Sequence, residues 1–164
     1  MFRDMRRKKQ ALSQEETEAV LRRGTSGVLA LAGDGGYPYA VPLSYVYDNG
    51  RIYFHCAQSG HKLDALKRCG RASFCVIDQD KIVPEEYTSY FRSAIVFGTV
   101  RILEDEREKR EAIEKLAVKY APEADAAGRE RAIAREWKPL CMLEMMIDHM
   151  TGKEAVELAK AGQP

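Results

Sequence analysis

A single turn constrains this chain more than any other feature. Asp48-Asn49-Gly50 separates two segments with strand character, residues 37–47 and residues 51–57. Asn-Gly and Asp-Gly readily adopt the positive φ angles that a tight β-hairpin requires. In the first segment large side chains recur at every second residue, which places them on one face of a strand. The sequence therefore predicts an antiparallel hairpin in which residues 51–57 pair with the preceding strand.

The rest of the chain predicts further short strands with helices inserted between them. Ser13-Gln14-Glu15-Glu16 has the pattern of a capping box at a helix start. Six strands in antiparallel steps fit a small closed or partly closed barrel better than a parallel sheet, so we predict a β-rich α+β fold in one domain, residues 1–164. The predicted parts are a helix over residues 13–23, a barrel over 27–103 and 140–147, and a helical insertion over 105–136.

Two prolines interrupt the second predicted strand. Pro38 and Pro42 lack the backbone N–H that a strand donates to its neighbour. Prolines at such positions favour an edge strand or a bulge. We therefore expect something other than a neighbouring strand to face Pro42.

Composition excludes several classes of protein. The chain has 26 Lys+Arg against 25 Asp+Glu, a formal net charge of +1, which argues against a nucleic-acid partner. Apolar runs such as residues 28–32 fall far short of the roughly 20 residues of a membrane-spanning helix. The basic N-terminus precedes no apolar signal segment, and the four cysteines lack Cys-x-x-Cys spacing. We expect a cytoplasmic protein with reduced thiols and no membrane partner.

A helix start at Gly60-His61-Lys62 has two possible interpretations. Free N–H groups and the positive end of the helix dipole attract anions there, and Lys62 adds a point charge, so this start can hold a phosphate. It can also be an ordinary helix start in a polar loop. Spacing alone favours the ordinary start, because helix N-termini are far commoner than occupied phosphate sites.

The other groups of residues that could carry chemistry give only weak signals for catalysis, metal binding or dinucleotide binding. His55 and Cys56 are adjacent on a predicted strand and point to opposite faces, which argues against a nucleophile–base pair. The three histidines show no His-x-x-x-His spacing, so we predict no metal site. No Gly-x-Gly-x-x-Gly follows a predicted strand, which disfavours a dinucleotide fold. Taken alone, His55 fits a hydrogen-bonded wall residue better than a catalyst.

Several short stretches nevertheless occur together in a characteristic order. They are Met5-Arg6-Arg7-Lys8 and residues 36–47, 52–57, 60–64 and 73–76. In this order the chain resembles the flavin-binding split-barrel proteins related to pyridoxamine 5′-phosphate oxidase, in particular their 5-nitroimidazole-resistance (Nim) branch. The resemblance covers most of residues 1–103, continues loosely to Trp137, and returns at residues 147–153.

The resemblance implies a six-stranded antiparallel split β-barrel that forms a homodimer, with FMN in clefts between the subunits. It implies that the flavin edge lies along Val41-Pro42-Leu43-Ser44 and that the phosphate lies at the helix start. It also implies that the partner subunit adds Tyr90, Phe91, Arg92 or Trp137 over the ring or the phosphate. It assigns the catalytic position to His55, with a role that includes placing substrate or flavin. The implied cofactor-binding residues are Val41, Pro42, Leu43, Ser44, His55, Cys56, Ala57, Gly60, His61, Lys62, Arg92 and Trp137.

The resemblance also implies an activity, that of an FMN-dependent oxidoreductase. An external reductant would reduce the flavin, and the reduced flavin would pass electrons to a small-molecule acceptor such as a nitroimidazole or another nitroaromatic. The flavin supplies that chemistry, while the protein supplies binding and orientation. The alternative is a non-catalytic module that carries flavin or haem or senses redox state, since the sequence shows no acid–base pair. A nucleic-acid-binding barrel with a basic arm is a third interpretation, which the net charge of +1 disfavours.

Overall fold

The computed structural model describes residues 2–161 and contains one seven-stranded antiparallel sheet in that range. Along the sheet the strands follow the order β2-β1-β5-β6-β7-β4-β3, with β2 and β3 at its two edges. The strands are β1 (Ser26–Ala32), β2 (Pro38–Ser44), β3 (Val46–Asp48), β4 (Arg51–Ala57), β5 (Arg71–Val83), β6 (Thr88–Ile102) and β7 (Leu140–Glu154).

Five α-helices accompany the sheet in the described part of the chain. The predicted capping box is present at the first of them, because the Glu16 N–H donates to the Ser13 hydroxyl and the Ser13 N–H donates to the Glu16 carboxylate. None of the helices within residues 2–161 has the length and apolar character needed to cross a membrane. The helices are α1 (Gln14–Arg23), α2 (His61–Arg68), α3 (Glu106–Tyr120), α4 (Ala126–Glu136) and α5 (Val156–Ala161).

The β-rich α+β prediction is confirmed, but the strand count of six is wrong. The segment predicted as one strand is divided at Tyr45 into β2, which pairs with β1, and β3, which pairs with β4. The Tyr45 ring is fully buried, and its hydroxyl donates to the Leu21 carbonyl oxygen at 2.8 Å. Tyr45 is therefore the residue at which the chain passes from the edge strand β2 to β3, the strand at the opposite edge of the sheet.

This connection bends the sheet into an open barrel. Because only Tyr45 separates the two edge strands, they must approach within about 8 Å at that point, twice the spacing of consecutive Cα atoms. No ladder of hydrogen bonds joins β2 to β3 among the described residues, although β2 and β4 come into contact there. We call this gap between β2 and the β3–β4 hairpin the seam.

The concave face of the sheet holds the main core. Phe74 lies at its centre, and its ring meets those of Tyr45 and Phe54 edge-on at centroid distances of 4.9 and 5.1 Å. The alternation predicted for residues 37–47 is present in β2, where Val41 and Leu43 pack against this core. Pro42 lies on the opposite face, and β2 is the edge strand that the prolines predicted.

A chain of ion pairs fixes α3 to the convex face of the sheet. The Glu144 carboxylate on β7 is buried and accepts a hydrogen bond from the Arg101 Nε–H at 2.8 Å. Arg101 also donates to Glu108 on α3 at 2.8 and 2.9 Å, and this bonding lowers the pKa of the Glu108 carboxyl. Beneath α3 a second, smaller core includes Tyr53 and Met142. The helical insertion is thus held over β4 and β7.

Candidate functional site

A cavity of about 660 Å³ opens on the convex face of the sheet beside the seam. Its volume lies within the range of small-molecule sites, and most of its lining is apolar, as such sites usually are. Strand β4 and the end of β2 form the floor, while α3 and α4 form the walls. The lining residues are Ser44, His55, Cys56, Ala57, Ile113, Leu116, Ala117, Tyr120, Ala132, Ile133, Arg135, Glu136, Pro139 and Leu140.

Strand alternation places the floor residues. On β4, Ile52 and Phe54 are buried in the main core, so His55 and Ala57 face the convex side. On β2 the same alternation turns Ser44 outward, away from the core. Four of the predicted site residues, Ser44, His55, Cys56 and Ala57, therefore line one cavity.

The Cys56 thiol has low reactivity in this arrangement. It packs against the main core and lies directly opposite Cys141 on β7. Burial and, secondarily, the Cys141 thiol raise the pKa of the Cys56 thiol to about 12. A thiol with this pKa is protonated near neutral pH and is a poor nucleophile, so Cys56 contributes to the shape of the floor.

Tyr120, at the end of α3, closes the seam with its hydroxyl. This hydroxyl accepts a hydrogen bond from the Tyr45 N–H at 2.9 Å and lies 3.0 Å from the Tyr45 carbonyl oxygen. It also contacts the carbonyl oxygen of Thr25, next to β1. One side chain thus satisfies backbone groups that have no strand partner where the sheet edges meet. Its other surface lines the cavity.

Tyr120→Phe is expected to lower the free energy of unfolding by about 1–3 kcal/mol, because it leaves the Tyr45 N–H without its partner. Urea denaturation of both proteins measures the change. Tyr87→Phe is the matched control, since that side chain is 98% exposed. Equal effects of the two substitutions would contradict the role assigned to the Tyr120 hydroxyl.

The start of α2 fits an anion better than sequence spacing suggested. Gly60, with φ of +124°, precedes the helix, and no side chain caps it. Lys62 is half-buried, and its positive charge acts to lower the pKa of the Cys56 thiol. His61 is engaged elsewhere: its ring stacks on Tyr39 at 4.0 Å. A helix start without a cap and with a nearby lysine has the donors that a phosphate needs.

The imidazole of His61 also lies 3.4 Å from the carboxylate of Asp34, which in turn accepts a hydrogen bond from Arg68 at 2.6 Å. This contact turns the side chain toward the turn between β1 and β2. The His61 side chain is therefore directed away from the start of α2. Of His61, only the backbone N–H remains available to an anion there.

Other predicted residues lie outside the cavity. Val41 and Leu43 point into the core, so only their backbone groups and Pro42 can meet a ligand on the convex face. Arg92 donates to Glu154 at 2.9 Å, and the Trp137 indole N–H donates to Glu106 at 3.1 Å. Arg92 and Trp137 were predicted to reach across to a second subunit, and this stays a prediction.

Sequence reasoning missed the walls of the cavity. Ile113, Leu116, Ala117 and Tyr120 recur at the spacing i, i+3, i+4 and i+7 and form one stripe along α3. That signal was present in the sequence, but it also fits a helix packed on a core. Which surface the stripe faces depends on contacts with β4, which are distant in sequence.

The sheet forms an open antiparallel barrel, and the apolar cavity lies beside its seam. A sequence model of the pyridoxamine 5′-phosphate oxidase family matches residues 13–154. The chain therefore belongs to this family, as the sequence resemblance predicted. No curated protein sequence matched it.

Solved structures share this fold at low sequence identity. A candidate 5-nitroimidazole antibiotic resistance protein from Bacteroides thetaiotaomicron gives a TM-score of 0.72 at 22% identity, covering 88% of this chain and 86% of that chain. A conserved hypothetical protein from Mycobacterium tuberculosis gives 0.81 at 17% identity, with coverage of 98% and 94%. An FAD- and haem-binding protein from Mycobacterium smegmatis gives 0.71 at 22%, with coverage of 96% and 82%.

Proposed function

We propose that this protein binds FMN at the seam and uses it to reduce a small electrophile. The observation that carries the proposal is that one continuous segment of the chain provides both an apolar cavity lining and an anion site. The convex side chains of β4 line the apolar cavity, and the following loop leads directly to the uncapped, lysine-bearing start of α2. A flat ring with a phosphorylated tail requires this combination of an apolar slot and an anion site.

The residues present fit such a cofactor. Pro42 and Ser44 leave the outer surface of β2 small and free of long side chains, which suits close approach of a flat ring. Lys62 and the first backbone N–H groups of α2 suit a phosphate. FMN, when bound, supplies reversible two-electron chemistry, which the side chains of the cavity do not provide themselves. The FAD-binding relative from Mycobacterium smegmatis supports a flavin here.

His55 is placed to hold the acceptor. Its imidazole lines the cavity floor, on the convex face, and makes no hydrogen bond to another side chain among the described residues. A ring N–H in this position can donate to an oxygen of a nitro or carbonyl group. His55 is therefore proposed as the residue that orients the electrophile.

The proposed reaction balances with a reduced nicotinamide nucleotide as the donor. The donor gives up two electrons and one proton as a hydride, and solvent provides a second proton. A nitro acceptor takes the two electrons and two protons, loses one oxygen as water, and becomes a nitroso compound.

Anaerobic turnover of a nitroaromatic by the FMN-loaded protein, with NADH or NADPH in excess, tests this reaction. Loss of the nitro absorbance is the expected result. Bound FMN without turnover by either donor would contradict the enzyme and favour the carrier or sensor. A protein that does not bind FMN would contradict both.

Lys62→Ala is expected to weaken FMN binding at least tenfold, because a charge-assisted hydrogen bond to the phosphate is lost. Quenching of FMN fluorescence on titration with apoprotein measures the dissociation constant. Lys67→Ala is the matched control, since Lys67 is an exposed lysine on the same helix. Unchanged affinity in Lys62→Ala would move the phosphate to another site.

We also propose that the protein is a homodimer. An apolar band crosses the convex face of the sheet, where Val28 and Ile95 flank Cys75 in the strand register. Phe97 is the next residue after Ile95 on the same face of β6. The Phe2 ring lies 5.4 Å from the Phe97 ring and covers it in part. Val28, Ile95 and Phe97 are each about 40% exposed, which is typical of an interface rather than of a monomer surface. Pro42 pairs with Val28, so this band reaches the proposed flavin edge.

A cytoplasmic location is part of this proposal. Four free cysteines, Cys56, Cys69, Cys75 and Cys141, fit a reducing compartment. Reduced nicotinamide nucleotides would be available in the same compartment.

A further inference from the structure

We infer that Cys56 and Cys141 form a two-thiol binding site for a soft, thiophilic cation of the class of Cu⁺. The site lies where β4 ends and β7 begins, beside the floor of the cavity. The inference does not depend on the proposed flavin function, because it uses only these two thiols and the residues around them.

The two cysteines face each other across antiparallel strands. Cys56 is the last residue but one of β4, Cys141 is the second residue of β7, and the register pairs them directly. Directly opposite side chains lie on the same face of a sheet, with Cβ atoms about 5 Å apart. The two thiols are close enough to share a hydrogen bond. Two sulfur atoms therefore lie side by side on one face of the sheet.

The type and the number of donors select the ion. Thiolates bind soft cations such as Cu⁺. A Zn²⁺ site almost always has four ligands, whereas Cu⁺ is satisfied by two thiolates on opposite sides of the ion. Within residues 2–161 no group of three or more His, Cys, Asp or Glu side chains could hold a metal ion. The histidine spacing that argued against a metal site concerns sites with several ligands, so this pair fits a two-coordinate cation.

The pair is set in apolar surroundings. Cys141 is buried, Cys56 is half-buried, and both pack against the main core. Burial, which raises the pKa of the Cys56 thiol to about 12, keeps it protonated near neutral pH. Protonated thiols react slowly with oxidants, so the pair remains a dithiol, and all four cysteines are free. The two sulfur atoms are therefore available as ligands.

A bound cation offsets the cost of ionising these thiols. A coordinating thiol loses its proton to the solvent, and the positive ion compensates the thiolate charge. Two S–H bonds break, two sulfur–metal bonds form from sulfur electron pairs, and no electron is transferred. Two thiolates and one Cu⁺ leave one negative charge. The positive charge of Lys62 favours the thiolate form of Cys56 and so favours this complex.

An ion can reach the pair from two sides. Cys56 lines the cavity beside the seam, and Cys141 lines a second cavity of about 320 Å³ between α2 and the start of α3. The amide of Gln58, just after β4, donates to the carbonyl oxygen of Lys138, just before β7, at 2.7 Å. A bound ion would join the same two segments a second time. Ion binding is therefore expected to raise the thermal midpoint of unfolding.

Anaerobic titration of the purified protein with the Cu⁺ complex of bicinchoninate tests the site. We expect the chain to take one Cu⁺ from the chelator, and calorimetry in two buffers to show two protons released per ion. X-ray absorption at the copper edge should show two sulfur neighbours. Failure to remove Cu⁺ from the chelator, or a copper centre with one sulfur neighbour, would overturn the inference.

Cys56→Ala and Cys141→Ala are each expected to weaken Cu⁺ binding by roughly a hundredfold or more, because losing one of two ligands costs at least as much as losing a supporting group. Alanine adds no polar group to the core, and the thermal midpoints of the ion-free variants check their folding. Cys69→Ala is the matched control, since Cys69 is a half-buried free cysteine outside the pair. Equal Cu⁺ affinity of Cys56→Ala and Cys69→Ala would contradict the site.

Zn²⁺ provides the contrast that tests the class of ion. With only two ligands from the protein, Zn²⁺ is expected to bind more weakly than Cu⁺ in the same kind of chelator competition. Zn²⁺ binding as tight as that of Cu⁺ would contradict a two-coordinate site. These outcomes do not depend on FMN uptake, so a failure of the flavin proposal and a failure of this inference are separate results.

Discussion

Phe74→Ala is expected to lower the free energy of unfolding by about 3–5 kcal/mol, the cost of removing a large aromatic ring from a packed core. Phe74 is fully buried, and its ring contacts both Tyr45 at 4.9 Å and Phe54 at 5.1 Å. The cavity left behind would lie beneath the residue that joins the two sheet edges and beneath the strand that carries His55. Urea denaturation monitored by circular dichroism measures the loss.

Two control variants define how this result is interpreted. Phe74→Leu keeps most of the apolar volume, so its effect should be smaller than that of Phe74→Ala. Tyr37→Ala removes a ring that is 78% exposed and should change stability by no more than about 0.5 kcal/mol. A loss under 1 kcal/mol in Phe74→Ala would show that the three-ring cluster is not the centre of the core.

The strands could be predicted wherever their signal is local. The hairpin at Asn49-Gly50 has the expected positive φ angles, and β3 pairs with β4 across it. The capping box at Ser13 needed only four consecutive residues. Both signals depend on chemistry within one turn of the chain, which is why sequence was sufficient for them.

The division of the second strand could not be predicted in the same way. Tyr45 continues the alternation of large residues without a break, so side-chain periodicity gives no sign of the change of partner. The change follows from β2 pairing with β1 while β3 pairs with β4, and these partners come from different parts of the chain. Similarly, the strand predicted to end at residue 147 continues in β7 to Glu154, because its later half pairs with β6.

The residues of the candidate site also fall into two groups: those that local sequence predicts and those that depend on contacts between distant parts of the chain. His55 and Ala57 could be placed on the convex face from strand alternation alone, since Cys56 between them packs against the core. The side-chain partner of His61 could not, because Asp34 lies in a separate turn that the fold brings to the start of α2. The α3 wall was visible as a stripe, but what it faces depends on the buried Glu144 pairing with Arg101 and so holding the helix over the sheet.

Ile95→Arg is expected to convert the proposed homodimer into a monomer and to abolish tight FMN binding. Ile95 lies in the middle of the apolar band, opposite Cys75 on β5 and Thr151 on β7. A guanidinium at this position would be buried without a partner if two bands were to pack together, and the cost of burying an unpaired charge exceeds what one apolar contact returns. The side chain is 41% exposed in the subunit, so the monomer can solvate an arginine there and should remain folded.

Sedimentation velocity and FMN titration on the same samples measure both effects. Val118→Arg is the matched control, because Val118 is similarly exposed on α3, away from the band, and should leave the dimer and its FMN affinity intact. The two measurements together decide which part of the proposal holds. An Ile95→Arg protein that stays dimeric would place the interface elsewhere. A monomer that still binds FMN as tightly as the wild type would show that one subunit provides the whole site, including the residues now assigned to its partner.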